Sequence, residues 1–297
     1  MYLPNKREKR VTIALFLLPS LVGLAAFCFL PMLASIIYSV LNYDLLKPLT
    51  SVSFVGLKNF QYVLGGRELY ETGLHTLQYV APYVPAVLLV SLFQALLLNQ
   101  SFHGRTLFRT IFYTPVITSW VAAAVVWKWL LNGKYGAFNQ LLAAVGIQGP
   151  SWFNDPNWAM LGVVIASIWK DCGYYALIIL AALKSIDRTY YEAAEIDGAG
   201  FWRKLRSITL PLISPTMFLL IVILIIGSLQ VFDSVFIMTG GGPAGATTVF
   251  MERIYRYAMK MYKIGIASAF SWIMFVLILG FTLVQFWLQK RWVNYDT

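Results

Sequence analysis

YYEAAEIDGAGFWRKLRSITLP, residues Tyr190–Pro211, is a polar island between two long apolar runs. With Asp187 just ahead of it, it carries four of the chain's 13 carboxylates, and three of its last ten residues are basic: Arg203, Lys204 and Arg206. A charged stretch of this length between segments suited to lipid reads as a connection between membrane spans. It should make contact with something outside the bilayer.

Composition supports that setting. Of 297 residues, 59% are hydrophobic and 12% charged, against about 25% charged in soluble domains, and the mean hydropathy is +0.68. The chain reads as an integral membrane protein. A net charge of +10 would suit nucleic acid only as a basic face on a soluble fold. Here the basic residues lie between apolar runs and read as topology signals, so no nucleic-acid partner is expected. Cys28 and Cys172 both sit in apolar stretches and imply neither a disulfide framework nor a metal site. His75 and His103 are far apart in sequence, which argues against metal-centred chemistry.

A basic start (Lys6, Arg7, Lys9, Arg10) leads into an apolar run over residues 11–43, too long for the 7–15-residue core of a signal peptide, and so a first span. Further runs at 72–99, 107–131, 158–183, 212–238 and 264–288 each reach the roughly 20 residues that a helical crossing needs. The expectation is an all-α integral membrane fold of six transmembrane helices in a single transmembrane domain, residues 1–297, with the loop 184–211 between the fourth and fifth. If the N-terminus is cytoplasmic, 13 of the 23 basic residues fall in cytoplasmic segments and eight in the longer outer ones, with Lys128 and Lys170 inside spans. The bias places both termini and the island in the cytoplasm.

The outer segments 44–71 and 132–157 mix Gly, Pro, Asn and Trp and read as short interfacial helices and turns. Residues 238–263 include Thr239-Gly-Gly-Gly-Pro-Ala-Gly-Ala-Thr-Thr248, whose glycines allow backbone conformations closed to other residues. The Gly240-to-Gly245 spacing superficially resembles a phosphate loop, but the Lys and Ser/Thr that complete such a loop are missing. It also lies on the wrong side for ATP.

Within the island, Thr189 and Glu192 have capping-box spacing, which predicts a short helix beginning there, with Glu192 and Glu195 on one face. Asp197-Gly198 signals a turn. A second short helix follows, with Phe201, Leu205, Ile208 and Leu212 on one face, and Pro211 marks the start of the fifth span. The product is a helix–turn–helix at the cytoplasmic surface. On these residues alone it is either a connector lying on lipid headgroups or a docking element.

EAAEIDGA followed by ITLPLISP resembles the EAA loop of ABC-importer permease subunits, matching at Glu192, Ala193, Ala194, Gly198, Ile208, Leu210 and Pro211. FLLPS at 16–20, VGLKNF at 55–60, FRTIFYTP at 108–115, TGGGP at 239–243 and IASA at 266–269 extend the resemblance to the carbohydrate-uptake group, and within it to maltose-permease F-like subunits. Asp187, Leu205 and His75 depart from the family's usual Pro, Phe and Asn. The first alters how the island's helix starts, and the second keeps an apolar residue. The third leaves His75 with a structural or interfacial role.

The resemblance implies an importer-type ABC permease fold in a bacterial or archaeal cytoplasmic membrane, with the island as a cytoplasmic coupling helix seated on a dimer of separate ATPase subunits. Those subunits would bind the ATP and Mg, so this chain is expected to hold no cofactor and to be no enzyme. Glu192, Ala193, Ala194, Asp197, Gly198, Leu210 and Pro211 become the coupling residues. Gly240, Gly241, Gly242 and Pro243 become a loop facing an extracellular or periplasmic solute-binding protein. A second, homologous permease subunit completes the set, with lipid around it. The substrate would be a sugar or oligosaccharide, or a polyol-like solute such as a glycerol phosphate.

Charges inside spans are costly and usually face a cavity or a partner. Lys170, Asp171 and Asp233, with Trp169, Tyr174, Tyr175 and Gln230 as stacking and hydrogen-bonding groups, are therefore candidates for the substrate path. Each taken singly reads better as a helix-packing polar residue or an interfacial aromatic, and it is the cluster as a whole that points to a path. Two remaining classes are a membrane-embedded enzyme, for which Asp171 and Asp233 are too few acidic groups, and a secondary transporter, which would work alone.

Overall fold

The computed structural model describes residues 6–294. The expectation that both termini are cytoplasmic concerns ends outside that range, and the side chains of residues 6–10 are likewise outside the described ones. In chain order, α1 (Lys6–Leu24) runs through a π turn, Ala25–Phe29, into α2 (Leu30–Ser39). Strands β1 (Leu41–Asn42) and β2 (Ser53–Phe54) pair antiparallel, with Leu41 opposite Phe54. There follow α3 (Lys58–Gly65), α4 (Arg67–Asn99), α5 (Arg105–Ile117), α6 (Trp120–Leu130), α7 (Ala137–Ala144) and α8 (Pro156–Ser185). Next come α9 (Arg188–Ile196), then α10 (Phe201–Lys204), which a π turn over Leu205–Thr209 joins to α11 (Leu210–Leu212). The chain closes with α12 (Ser214–Leu229), α13 (Asp233–Met238), α14 (Phe250–Tyr255) and α15 (Ile264–Gln289).

The fold is the expected all-α membrane type apart from the two-residue strands. Four helical stretches are long and apolar enough to cross a bilayer: Val11–Ser39, Arg67–Asn99, Pro156–Ser185 and Ile264–Gln289. The third apolar run, read from the sequence as a single span, is instead broken within its length, and the fifth, 212–238, bends at its start away from the island's second helix. Arg105–Ile117 and Trp120–Leu130 meet at 102°, and Phe201–Leu212 and Ser214–Leu229 at 69°; counted as one span each, they bring the total to six. The first break has a local cause. Thr118 leaves the helix at ψ 144°, and Ser119 starts α6 by accepting a hydrogen bond from Ala122 N (3.2 Å). That is an N-cap embedded in apolar sequence. In the fifth run, Gln230 closes α12, so residues 212–238 also divide before α13.

The chain falls into two compact units: one comprises the residues up to Gly66 with Ile254–Met274, the other Arg67–Arg253 with the residues from Phe275 onward. In the first, Asn59 at the start of α3 donates to the Ser39 and Leu41 carbonyls, both at 2.9 Å, and so ties the end of α2 to β1. Trp272 Nε1 donates to Ser35 Oγ at 3.1 Å.

In the second unit the most extensive helix packing is between α4 and α8. Helix association in lipid relies on van der Waals fit and small residues rather than on water exclusion, and α8 is built accordingly. Ala159, Gly162, Val163, Ala166, Ser167, Gly173 and Ala176 are all buried at helical spacing. One core cluster joins Tyr79, Tyr83 and Val87 of α4 to Val163 and Ala166 of α8, Trp127 of α6 and Val235 of α13. Another joins Ala95 and Leu98 of α4 to Ile179, Leu180 and Leu183 of α8 and Leu220 of α12.

Candidate functional site

The polar island folds as a braced helix–turn–helix. Its first helix does not use the Thr189–Glu192 capping box. Asp187 is the N-cap, its Oδ1 accepting from Thr189 N at 3.0 Å. An aspartate at this position outcompetes a threonine two residues later because it satisfies the first orphan amides of the helix. That hydrogen bond also holds the Asp187 carboxyl below the usual carboxylate range. Glu192, freed from the capping role, is not buried.

At the other end, Gly198 N donates to Glu195 O (3.0 Å) and Ala199 N to Ala194 O (2.8 Å), with Gly198 at φ +71°. This crossed pair closes the helix with a left-handed residue after the cap, a role glycine fills without steric cost. Two contacts then tie the α9 helix to the one that follows. Lys204 Nζ pairs with Glu195 Oε1 at 2.8 Å, and the Tyr191 and Thr209 hydroxyls meet at 3.0 Å. Leu210 packs on the cluster of Leu98, Ile179 and Leu220, and the Pro211 carbonyl accepts from Ser214 Oγ at 2.7 Å, so the island is anchored to the spans behind it. No residue of α9 is buried. Ile196 is 88% and Trp202 77% exposed. Sequence reasoning missed these two as candidates. Their signal was their place as apolar residues inside a polar stretch.

The span charges separate into two environments. Lys170 is buried, and its Nζ reaches the carbonyls of Pro115 (3.3 Å) and Val116 (3.2 Å), with the Trp120 ring 5.5 Å away. These carbonyls lie in the last turn of α5, where Pro115 O also accepts from Thr118 N (3.2 Å) and Thr118 Oγ1 (2.6 Å), so Lys170 adds a charged donor to the close of the helix and clasps the bend. One turn on, Gly173 lets α5 come close: an added Cβ would collide with the Phe112 carbonyl oxygen and lie 2.9 Å from its carbon. Replacing Lys170 with Met is expected to cost about 2 kcal/mol, in the range for a hydrogen bond to a charged group, measured by chemical unfolding in detergent. An unchanged midpoint would mean that those carbonyls do not depend on Nζ.

Asp171 points elsewhere. Its Oδ2 accepts from the Tyr83 hydroxyl at 2.7 Å, and Tyr83 stacks on Tyr79 with ring centroids 5.0 Å apart. These tyrosines, at i and i+4 on the buried face of α4, were not singled out from the sequence. Helical spacing puts Tyr174 and Tyr175 on the same face of α8 as Asp171, and their rings meet edge-on at 5.2 Å. Trp169 lies on the far side of α8 and packs edge-on against Trp127 at 5.7 Å. Gln230 and Asp233 are exposed at the break between α12 and α13. Asp171 and Tyr174 thus share a face of α8, whereas Trp169 lies on its far side and the Lys170 amine is taken by the Pro115 and Val116 carbonyls.

The glycine-rich loop is held by its own threonines. Thr247 Oγ1 donates to the Gly242 carbonyl at 2.7 Å and lies 2.7 Å from Thr239 Oγ1, and Thr248 Oγ1 reaches Gly241 O at 3.2 Å. Thr247 and Thr248 are buried, while Gly240 is exposed and the peptide before Pro243 is cis.

Residues 9–294 match the family model described as binding-protein-dependent transport system inner membrane component. The chain is 35% identical over 270 residues to the trehalose/maltose transport system permease protein MalF of Thermococcus litoralis, covering 91% of this chain and 90% of that one. To the sn-glycerol-3-phosphate transport system permease protein UgpA of Yersinia enterocolitica it is 36% identical over 287 residues, covering 95% of each. Among solved structures, a chain of a bacterial alginate ABC transporter in complex with an alginate pentasaccharide-bound periplasmic protein shares the fold. The TM-score is 0.84 at 24% identity, covering 95% of each chain.

Proposed function

This chain belongs to the binding-protein-dependent transport system inner membrane components, as a non-catalytic, multi-pass permease subunit of the carbohydrate- and polyol-uptake group of ABC importers, and from that membership we propose how it works. The importer takes up a sugar or oligosaccharide. Two ATPase subunits dock on the helix–turn–helix of residues 188–211 on the cytoplasmic side, with Glu192, Ala193, Ala194, Asp197 and Gly198 at the contact. Leu210 and Pro211 pass their movement to the spans. A second, homologous permease lies alongside. A solute-binding protein meets the loop of Gly240, Gly241, Gly242 and Pro243 on the outer side. Asp171 and Tyr174, with Gln230 and Asp233, border the solute path across six spans.

The observation that carries this reading is the island's construction. It is capped, closed and cross-linked, yet it displays Ile196 and Trp202 outward. A lever must be stiff to shift a two-state equilibrium, and a connector merely resting on headgroups needs no such bracing. Similarity to glycerol-3-phosphate permeases supports a second reading, import of a phosphorylated polyol by the same machinery. Reconstitution in liposomes tests the division of labour. Solute uptake is expected only with the second permease, ATPase pair, binding protein and ATP all present. Uptake by the purified chain alone, without ATPase or ATP, overturns it in favour of a secondary transporter.

A further inference from the structure

We propose that the solute path selects an uncharged polyhydroxylated solute over an anionic one, and that Asp171 is a specificity-determining residue for that choice. The inference rests on the importer reading above and deepens it, because the same architecture serves neutral and anionic solutes alike.

The signs and engagements of the charged groups carry it. Across α4, α8, α12 and α13, Lys170 is the only lysine or arginine other than Arg67 at the first position of α4 and Lys184 in the last turn of α8. A path for a phosphate, sulfonate or uronate needs an available cation at depth, because an anion desolvated without a partner is strongly disfavoured. Lys170 does not supply one. It is buried, and its Nζ is committed to the Pro115 and Val116 carbonyls and to the Trp120 ring. The other basic residues within the apolar runs, Arg109 on α5 and Lys128 on α6, are exposed, and Lys128 shares the stripe of Val121 and Val125.

Asp171 is built to meet hydroxyl groups. Tyr83 holds Oδ2, which fixes the carboxyl plane. Oδ1 has no hydrogen bond among the described residues, and Asp171 is only half-buried. Tyr174, on the same face of α8, is 45% exposed and offers an aromatic surface of the kind that stacks on the apolar face of a sugar ring. A carboxyl group accepts hydrogen bonds from neighbouring hydroxyls, and in neither protonation state does it provide a positive charge.

The test uses the complete reconstituted complex with its binding protein. It compares uptake of a panel of uncharged mono- and oligosaccharides, including maltose and trehalose, with sn-glycerol 3-phosphate, glucose 6-phosphate and oligouronates. Accumulation of at least one uncharged sugar, ten times faster or more than any anionic member, is expected. Asp171→Asn keeps the side-chain size and still accepts from Tyr83, but at unchanged yield of assembled complex it is expected to lower uptake of that sugar at least tenfold. An anionic member taken up as fast as the best neutral one overturns the selectivity. Wild-type uptake by Asp171→Asn overturns the role of Asp171. Accumulation of no panel member by the complete complex removes the importer reading itself, an outcome distinct from the other two.

Discussion

Replacing Gly198 with Pro is expected to leave the chain in the membrane at close to its normal level and to lower solute uptake and coupled ATP hydrolysis by at least tenfold. Proline holds φ near −65°, whereas Gly198 sits at +71°. It also lacks the amide hydrogen that Gly198 donates to Glu195 O. The turn must then open, and α9 swings away from the position set by the Lys204–Glu195 pair. Space is not the obstacle, since nothing lies within 4 Å of an added Cβ at this position. Gly198→Ala should therefore show a graded defect, reflecting about 1–2 kcal/mol for a non-glycine residue in the left-handed region. The insertion signal lies in the apolar runs, not in the turn, so membrane content measured by immunoblot serves as the control. Full transport by the Pro variant would reduce the island to a surface connector.

The second large effect is expected inside the membrane domain. Gly173→Val places a branched side chain against the backbone of Phe112, which has no rotamer by which to withdraw. Overpacking of this kind costs about 1–3 kcal/mol and more where backbone must move, so α5 is expected to separate from α8 and the purified protein to lose about 3 kcal/mol. Gly227 is the matched control: it is a helical glycine in the same unit with nothing within 4 Å of an added Cβ, and Gly227→Ala should be near neutral. Thermal unfolding in detergent distinguishes them. Equal midpoints for Gly173→Val and the wild type would show that the close approach of the two helices is dispensable. The same displacement would pull the Pro115 and Val116 carbonyls from Lys170, so the bend and the clasp are expected to fail together.

The fold class was legible because apolar runs of about 20 residues have few alternatives in a chain this poor in charge. The break at Thr118–Ser119 was not, because hydropathy averages over it. Ser119 is a capping residue, but among apolar neighbours it reads as one tolerated polar group. The role of Lys170 was hidden for a different reason. Its neighbour in sequence, Asp171, is the obvious partner by charge, while the groups it reaches lie 54 and 55 residues away. Adjacent helix positions diverge by about 100°, which already ruled out a simple pair but could not say where each side chain went. In the island, the turn at Asp197-Gly198 was readable from residue type. The cap was misplaced because Thr189–Glu192 satisfies the spacing rule while the stronger cap, Asp187, stands two residues earlier. Ile196 and Trp202 were overlooked because a polar stretch invites attention to its charges.

Above all, residues 188–211 are proposed to be the seat of a separate ATPase. The substitution Ile196→Cys, in a chain with Cys28 and Cys172 replaced by Ser, provides the most direct measurement. With a short bifunctional cross-linker, the introduced thiol in the assembled complex is expected to cross-link to the ATPase subunit in high yield, with an efficiency that changes when ATP is added. Labelling of that thiol by a lipid-borne reagent, with no cross-link to the ATPase in either nucleotide state, would contradict the claim and return the island to the membrane surface.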